Sequence, residues 1–300
     1  MPRHPRRPPV VRSRSIPVAG GPHELGQNWL VDRRFAAEMA GILRHAPPYP
    51  VLELGAGNGA ITRAIVANKV PVTAVELDPR RVAQLRRAFK GQAEIVQGDM
   101  LAFEFGTGAH NVIANVPFSL TTPVLRRLLR QSQWHTAVLL VQWEVARKRA
   151  AVGGTTMLTA MWWPWYSFTL GSRVPAAAFA PTPSVDGGIL VLRRRDRPFV
   201  GTPEMADYQA VVRTIFTSPG RGLHGVLRRQ LPERAIREWL SREGLDGRIL
   251  PRDLTAEHWT TLFRLIRAAN AFKNEHSRRS GSRGEATDNA TFWRPDQARP

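Results

Sequence analysis

A glycine-rich turn between a buried strand and a helix constrains the fold most. Residues 49–54 form a short apolar run typical of a buried strand, and Gly55-Ala56-Gly57-Asn58-Gly59 follows it directly. The pattern over residues 60–68 then predicts a helix. Glycine lets the backbone turn tightly and approach a ligand, while a helix N-terminus offers unpaired N–H groups. Strand, glycine turn and helix together are the first unit of a dinucleotide-binding type of α/β fold.

Strands and helices continue to alternate along the chain, which predicts a mainly parallel sheet with helices on both faces. The further predicted strands cover residues 72–78, 94–100, 110–115, 137–142 and 188–192. Beyond Arg193-Arg194-Arg195 the pattern changes to short helices at 208–216, 222–231, 233–242 and 256–269. The predicted organisation is a disordered basic arm at 1–20, an α/β domain at 21–196, a small all-α domain at 197–270 and a disordered tail at 271–300.

The charge balance predicts a polyanionic partner. The chain has 43 basic and 24 acidic residues, a formal net charge of +19, and the first 20 residues contribute five arginines and no acid. Such an excess favours nucleic acid or an anionic membrane surface. Only four of the basic residues are lysines. A compositional bias of the genome explains why arginine is used in place of lysine, but it does not explain why basic residues outnumber acidic ones. The basic arm is either a phosphate-contacting segment or a solvated tail.

Several classes of protein are excluded or disfavoured by composition. The chain has no cysteine, which excludes disulfides, thiolate zinc sites and cysteine nucleophiles. The eight histidines show no pair at ligand spacing, so no metal site is predicted. No apolar run approaches the roughly 20 residues that a membrane span needs, and no apolar segment follows the basic start. A cytoplasmic protein is expected.

Acidic residues close the next two predicted strands. Glu76 ends the second strand, where its carboxylate can accept hydrogen bonds from both hydroxyls of a ribose. Asp99 ends the third, where it can accept from an adenine amino group. Solvation of a strand end explains either acid alone, and the glycine spacing is weak by itself because Ala60 stands at the last position of the G-x-G-x-x-G pattern. Two acids at successive strand ends after a glycine turn favour a bound nucleoside.

Asn115-Val116-Pro117-Phe118 ends the fourth predicted strand and suits a planar amino group. The amino nitrogen of adenine is a poor nucleophile because its lone pair is delocalised into the ring. The side-chain oxygen of Asn115 and the carbonyl of Val116 can accept its two protons and localise the lone pair. Pro117 stiffens the loop and Phe118 can stack on a base that has left its helix. Methyl transfer from a sulfonium by in-line displacement then needs no metal and no general base, only positioning.

The ordered set of motifs resembles the ribosomal RNA adenine N6-dimethyltransferases and, within them, the Erm-type 23S rRNA methyltransferases of antibiotic resistance. The matching segments are residues 26–30, 53–59, 76, 98–99, 115–118 and 179–186, and the resemblance covers residues 22–268. It implies an α/β, Rossmann-like S-adenosylmethionine-dependent methyltransferase sheet with a small C-terminal all-α domain that recognises RNA.

The resemblance also implies roles for individual residues. S-adenosyl-L-methionine would be bound by Gln27, Asn28, Leu30, Gly55, Gly57, Gly59, Glu76, Leu77, Asp99, Met100 and Asn115. Within that set, Asn28 and Leu30 would line the methionine end, Glu76 would take the ribose and Asp99 the adenine. The target adenine would be held by Asn115, Val116, Pro117 and Phe118.

The function implied is mono- or dimethylation at N6 of one adenine in the peptidyl-transferase loop of 23S rRNA. That modification blocks macrolide, lincosamide and streptogramin B antibiotics. The expected partner is 23S rRNA before assembly of the large subunit is complete, and the expected state is a monomer.

Two departures from the family pattern are visible, and two alternatives stay open. Trp29 stands where phenylalanine is common, and Phe118 stands where the small-subunit branch often has tyrosine. The segment from Val116 to Thr122 resembles actinomycete Erm sequences. One alternative is the small-subunit rRNA adenine dimethyltransferase. The other is a non-catalytic nucleic-acid-binding relative, and intact Glu76, Asp99 and Asn115 argue against this second alternative.

Remaining aromatic and basic clusters are assigned more simply. Trp162, Trp163 and Trp165 lie in an apolar stretch and are predicted to belong to the core. Arg126, Arg127 and Arg130 lie opposite the buried face of their helix, which predicts solvated side chains. The candidates for a phosphate-binding surface are Arg147-Lys148-Arg149, Arg193-Arg194-Arg195 and Arg228-Arg229. Such a surface predicts that RNA binding depends steeply on salt.

Overall fold

The computed structural model describes residues 28–281, with side chains through residue 271. Within this part the chain forms two compact units, one of residues up to 213 together with 252–254, and the other of 214–251 together with residues from 255 on. Three predictions concern residues outside the described part: the basic arm at 1–20, the cofactor contact of Gln27 and, from residue 282 on, the disordered tail predicted at 271–300.

The first unit contains a mixed seven-stranded sheet. Its strands are β2 (Val51–Leu54), β3 (Val72–Glu76), β4 (Glu94–Gln97), β5 (His110–Asn115), β6 (Trp134–Gln142), β7 (Tyr166–Val174) and β9 (Gly187–Arg194). Their order in the sheet is β4-β3-β2-β5-β6-β9-β7. Neighbours from β4 to β6 are parallel, while β9 pairs antiparallel with both β6 and β7. Strand β7 was not predicted from the sequence; several of its residues are exposed, so its apolar alternation is weak. A separate two-stranded sheet joins β1 (Trp29–Leu30) to β8 (Phe179–Ala180).

Helices follow most strands of this unit. They are α1 (Arg33–Leu43), α2 (Ala60–Ala67), α3 (Pro79–Ala88), α4 (Thr121–Arg130), α5 (Trp143–Arg149) and α6 (Met157–Trp162). Helix α3 shows how the sequence sets such a boundary. Pro79 occupies the first turn, where its missing N–H has no intrahelical partner to lose, and the Asp78 side chain caps the helix by accepting from the Arg80 N–H at 2.8 Å.

The core of the first unit is built on the two central strands. Nearly every residue of β5 and β6 is buried, as expected for strands covered on both faces. One hydrophobic cluster joins α1 and α2 to these strands, and another joins α3 and Phe89 to Ala74 and Ile95. The strand order reverses at β2, because β3 and β4 lie on one side of this strand and β5 and β6 on the other. A crevice therefore opens beside the carboxyl end of β2. Ligands of open α/β sheets bind in the crevice at such a point.

The division between the units falls later than the predicted boundary at residue 196. It lies inside α7 (Met205–Thr217), after Arg213. The physical reason is that the first part of α7 packs within the first unit: Tyr208 is buried and its hydroxyl donates to the carbonyl of Ala160 at 2.9 Å. The helical pattern over these residues therefore predicted the helix, but not the unit to which it belongs.

The second unit is all-α in the described residues, as predicted. Its helices beyond α7 are α8 (Gly222–Leu227), α9 (Glu233–Glu243) and α10 (Ala256–Gly281). Trp239 and Trp259 are fully buried, and the ring of Trp259 stacks on that of Phe216 with centroids 5.5 Å apart. Helix α10 runs to Gly281, past residue 270 where the predicted domain ended. Among the helices described, none is long and apolar enough to cross a membrane.

Candidate active site

A pocket opens where β2, β3 and β5 end, and it gathers most of the predicted site residues. It encloses about 870 Å³ including its open mouth. The predicted residues that line it are Asn28, Leu30, Gly55, Gly57, Glu76, Leu77, Asp99, Met100, Asn115, Val116, Pro117 and Phe118. The cofactor residues and the tetrapeptide predicted to hold the adenine therefore share one cavity. Gly59 is not among the lining residues.

The glycine turn is required by close contacts around the pocket. Gly55 has a φ of +77°, and a Cβ on it would lie 2.6 Å from the Cε of Met100. Gly57 has a φ of +54°, and a Cβ there would lie 3.1 Å from Cδ1 of Trp29. Gly59, at the start of α2, faces Leu85 and Phe89 instead, each 2.8 Å from where its Cβ would be. A side chain at this position would therefore clash with α3 and the residue that follows it, and the predicted cofactor contact of Gly59 stays a prediction.

Glu76 is held in place by the backbone of two turns. Its residue is 4% exposed, its Oε2 accepts from the Gly57 N–H at 2.7 Å, and its Oε1 accepts from the Asp78 N–H at 2.9 Å. A carboxylate has about four acceptor positions, so two remain for hydroxyl groups of a ligand. Asp99 is arranged similarly, since one oxygen accepts from the Leu101 N–H at 2.8 Å.

Asn115 is oriented by a contact that the sequence did not indicate. Its Nδ2 donates to the backbone carbonyl of Asn28 at 2.9 Å. Because a carbonyl can only accept, this contact fixes which end of the amide is the nitrogen. No described residue donates to Oδ1, so that oxygen can accept from a ligand. The N–H of Val116 donates to the carbonyl of Leu140 at 3.0 Å.

The outer wall of the pocket joins segments that are distant in sequence. Strands β1 and β8 pair through Trp29 with Ala180 and Leu30 with Phe179. The ring of Phe179 is buried and meets the ring of Phe118 edge-on, with centroids 6.3 Å apart. The first and last of the predicted motifs, residues 26–30 and 179–186, therefore meet beside the tetrapeptide, as far as the structure describes them (from residue 28 on).

Several pocket residues were missed by the sequence reasoning. Glu53 is 1% exposed, its Oε2 accepts from Thr62 Oγ1 at 2.6 Å, and burial raises its pKa to about 8. Asn58 donates to the carbonyl of Leu30 at 3.1 Å and so ties β1 to the glycine turn. Trp29 also lines the pocket. Glu53 lies two residues before Gly55 and Asn58 lies between Gly57 and Gly59, and this position at the glycine turn was the available signal.

Some basic side chains predicted to be solvated or phosphate-binding are engaged within the protein. Arg127 donates to the carbonyls of Leu101 and Phe103, so its predicted solvation is wrong, unlike that of exposed Arg126 and Arg130. Desolvation lowers its pKa, although the group stays protonated. Its guanidinium thereby holds the loop that follows Asp99.

Two arginines of the 193–195 segment are also used internally. Arg194 donates to the carbonyls of Trp134 and Gln131, each at 3.0 Å, and Arg195 donates to that of Trp163 at 3.0 Å. Lys148, Arg228 and Arg229 are exposed and stay candidates for phosphate contacts.

The predicted tryptophan cluster is partly confirmed. Trp165 is 3% exposed and belongs to the core. Trp162 and Trp163 are only half-buried. Trp162 meets Trp165 edge-on with ring centroids 6.4 Å apart, so Trp162 packs at the edge of the core against the buried Trp165.

The fold and the pocket define a class of protein, the Rossmann-like S-adenosylmethionine-dependent methyltransferases. The family model described as "Ribosomal RNA adenine dimethylase" matches residues 21–268. The chain belongs to this family, and the prediction of an rRNA adenine N6-methyltransferase that uses S-adenosylmethionine is confirmed.

Individual relatives agree with this assignment. The chain is 58% identical over 262 residues to the mycinamicin-resistance protein MyrB of Micromonospora griseorubida, covering 87% of this chain and 84% of MyrB. It is 44% identical to an rRNA adenine N-6-methyltransferase of Corynebacterium diphtheriae, over 70% of this chain and 83% of that protein. The crystal structure of 23S rRNA methyltransferase ErmE matches with a TM-score of 0.75 at 31% identity, covering 80% of this chain and 99% of ErmE.

Proposed function

We propose that this protein is an Erm-type enzyme that methylates N6 of one adenine in the peptidyl-transferase loop of 23S rRNA. The modification would give resistance to macrolide, lincosamide and streptogramin B antibiotics. One observation carries the proposal: Asn115-Val116-Pro117-Phe118 shares a pocket with Glu76, Asp99 and the glycine turn. Such a pocket can hold a methyl donor and a planar amino group side by side.

The pocket residues fit S-adenosylmethionine, which when bound supplies a methyl group on a sulfonium. Glu76 keeps two acceptor positions for the ribose hydroxyls, because the Gly57 and Asp78 N–H groups occupy the others. A Cβ on Gly55 or Gly57 would press on Met100 or Trp29, which also line the pocket, so glycine keeps the shape of this wall. Asp99 would accept from the adenine amino group of the cofactor, and Asn28 and Leu30 would line its methionine end.

The target adenine would be held by the tetrapeptide. The Asn115 amide is turned by the Asn28 carbonyl so that Oδ1 can accept one proton of the adenine amine. The Val116 carbonyl, to which no described group donates, would accept the other. Phe118 would stack on the extruded base. Holding both protons localises the nitrogen lone pair toward the methyl group, so the chain contributes mainly by positioning.

Comparison of relatives favours the large-subunit substrate. The relatives at 58% and 44% identity are named for mycinamicin resistance and rRNA adenine N-6 methylation. Those named ribosomal RNA small subunit methyltransferase A share 30% to 32%. The net charge of +19 suits RNA. The enzyme would act in the cytoplasm as a monomer on 23S rRNA before assembly of the large subunit is complete.

Expression in a macrolide-sensitive bacterium tests the proposal. The wild type should confer resistance, and dimethylation should stop primer extension at one adenine of the peptidyl-transferase loop, whereas monomethylation, which leaves one pairing N–H, should be read through. Mass spectrometry of that fragment then counts the methyl groups. Asn115→Ala is the matched control, since it should bind the cofactor but leave the RNA unmodified. Methylation of small-subunit RNA instead would establish the alternative enzyme, and a wild-type protein that fails to bind the cofactor would indicate a non-catalytic relative.

A further inference from the structure

One edge of strand β1 pairs with no other strand in the described part of the chain. The opposite edge pairs with β8, and there the Val31 N–H donates to the carbonyl of Ala178 at 2.9 Å. The Leu30 carbonyl shares a trans peptide with that N–H and points the other way. In an extended chain the Asn28 carbonyl, two residues earlier, points to the same side. Two strands of this length are only marginally stable alone, so the groups that bind these two carbonyls fix the position of β1.

Two side-chain amides donate to these carbonyls. Nδ2 of Asn58 donates to the carbonyl of Leu30 at 3.1 Å, and Nδ2 of Asn115 donates to that of Asn28 at 2.9 Å. The first amide belongs to the glycine turn and the second to the tetrapeptide, so β1 connects the two halves of the pocket. The Asn58 amide is itself fixed, because its Oδ1 accepts from the Ala60 N–H at 3.1 Å at the start of α2.

We propose that Asn58 is a positioning residue for methyl transfer, acting on Asn115 through β1. Its contact with Leu30 keeps the Asn28 carbonyl in place, and that carbonyl keeps Oδ1 of Asn115 turned toward the target amine. The inference rests on the proposed role of Asn115 in holding that amine. The orientation matters because a reversed amide would present Nδ2, a donor, to an amino group that is also a donor. Loss of the Asn58 contact should therefore slow turnover more than it weakens cofactor binding.

Two substitutions of Asn58 have in common the loss of this donor and differ in the rest. Asn58→Asp keeps an acceptor for the Ala60 N–H but adds a negative charge, whereas Asn58→Ala removes the acceptor and adds no charge. Tritium transfer at saturating S-adenosylmethionine and RNA measures kcat, and calorimetry measures the Kd of S-adenosylhomocysteine. Both variants should lower kcat about three- to tenfold, as for loss of one neutral hydrogen bond. The Kd should rise less than about twofold, because β1 keeps its pairing with β8.

Asn68→Asp is the matched control, since it adds the same charge at the other end of α2, and Asn68 is not among the described residues that line the pocket. It should keep the kcat of the wild type. The proposal is overturned if kcat falls only in Asn58→Ala, which indicates capping of α2, or only in Asn58→Asp, which indicates an effect of charge. It is also overturned if kcat falls in neither, or if affinity falls as far as kcat. All four results leave the proposed function standing, whereas a wild type that binds the cofactor and methylates no RNA would contradict it.

Discussion

Replacing Glu53 by glutamine should change how the stability of the protein depends on pH. Glu53 lies in β2 with 1% of its surface exposed. Burial, partly offset by the hydrogen bond from Thr62 and assisted by the negative charge of Glu76, raises the pKa of its carboxyl from 4.5 to about 8. Near neutral pH the folded chain therefore holds a proton on Glu53 that the unfolded chain has released.

The sign and size of the effect follow from this difference. Between about pH 4.5 and about 8 the folded state binds the extra proton, so the free energy of unfolding falls as the pH rises and levels off above that window. Each pKa unit corresponds to about 1.4 kcal/mol. Relative to Glu53→Gln, which stays neutral and can still accept from Thr62, the wild type should lose on the order of 3–5 kcal/mol between about pH 5 and about pH 9.

Urea denaturation followed by circular dichroism across that pH range measures the difference. Glu94→Gln provides the matched control, because Glu94 lies in the nearby strand β4 and also accepts from a threonine hydroxyl, Thr73 at 3.1 Å, but is exposed. Its pH dependence should follow the wild type. Parallel curves for the wild type and Glu53→Gln would refute the reasoning, since they would mean that Glu53 ionises alike in the folded and unfolded chains.

Three further predictions concern the pocket. Asn115→Ala should lower methyl transfer at least about 100-fold. It should weaken S-adenosylhomocysteine binding less than about tenfold, because only the neutral contact with Asn28 is lost. A tritium-transfer assay measures the first effect and calorimetry the second, and a larger loss of affinity would mean that the tetrapeptide is misassigned. Arg127→Ala should weaken S-adenosylhomocysteine binding about five- to tenfold by releasing the loop after Asp99. Arg130 is exposed on the same helix, so Arg130→Ala should bind S-adenosylhomocysteine as the wild type does. Equal affinities for the two variants would mean that Arg127 does not hold the loop for the cofactor. Phe118→Ala should slow methylation of RNA about tenfold or more through lost stacking, and Phe118→Tyr should retain the rate; an active alanine variant would show that the ring does not hold the base.

Local signals in the sequence determined much of this protein. The glycine turn, the acid that ends β3, the acid after β4 and the tetrapeptide after β5 are each recognisable from residue type and position along one strand or turn. The carboxyl ends of neighbouring parallel strands meet at one edge of a sheet, so their convergence on one pocket also followed from the alternation of strands and helices. The order of the motifs then indicated the family.

Contacts between distant segments were decided only by the tertiary structure. The amide of Asn115 is oriented by Asn28, 87 residues away, because β1 pairs with β8 and lies beside the end of β5. Arg126 and Arg127 are the same residue type on adjacent positions of α4, yet one is exposed and the other holds the loop after Asp99. Successive helical residues point about 100° apart, so which arginine faces the loop depends on how the helix is rotated against the sheet. The sequence specifies the chemical groups of the site; strand pairing and helix rotation decide which of them are buried, oriented and able to act.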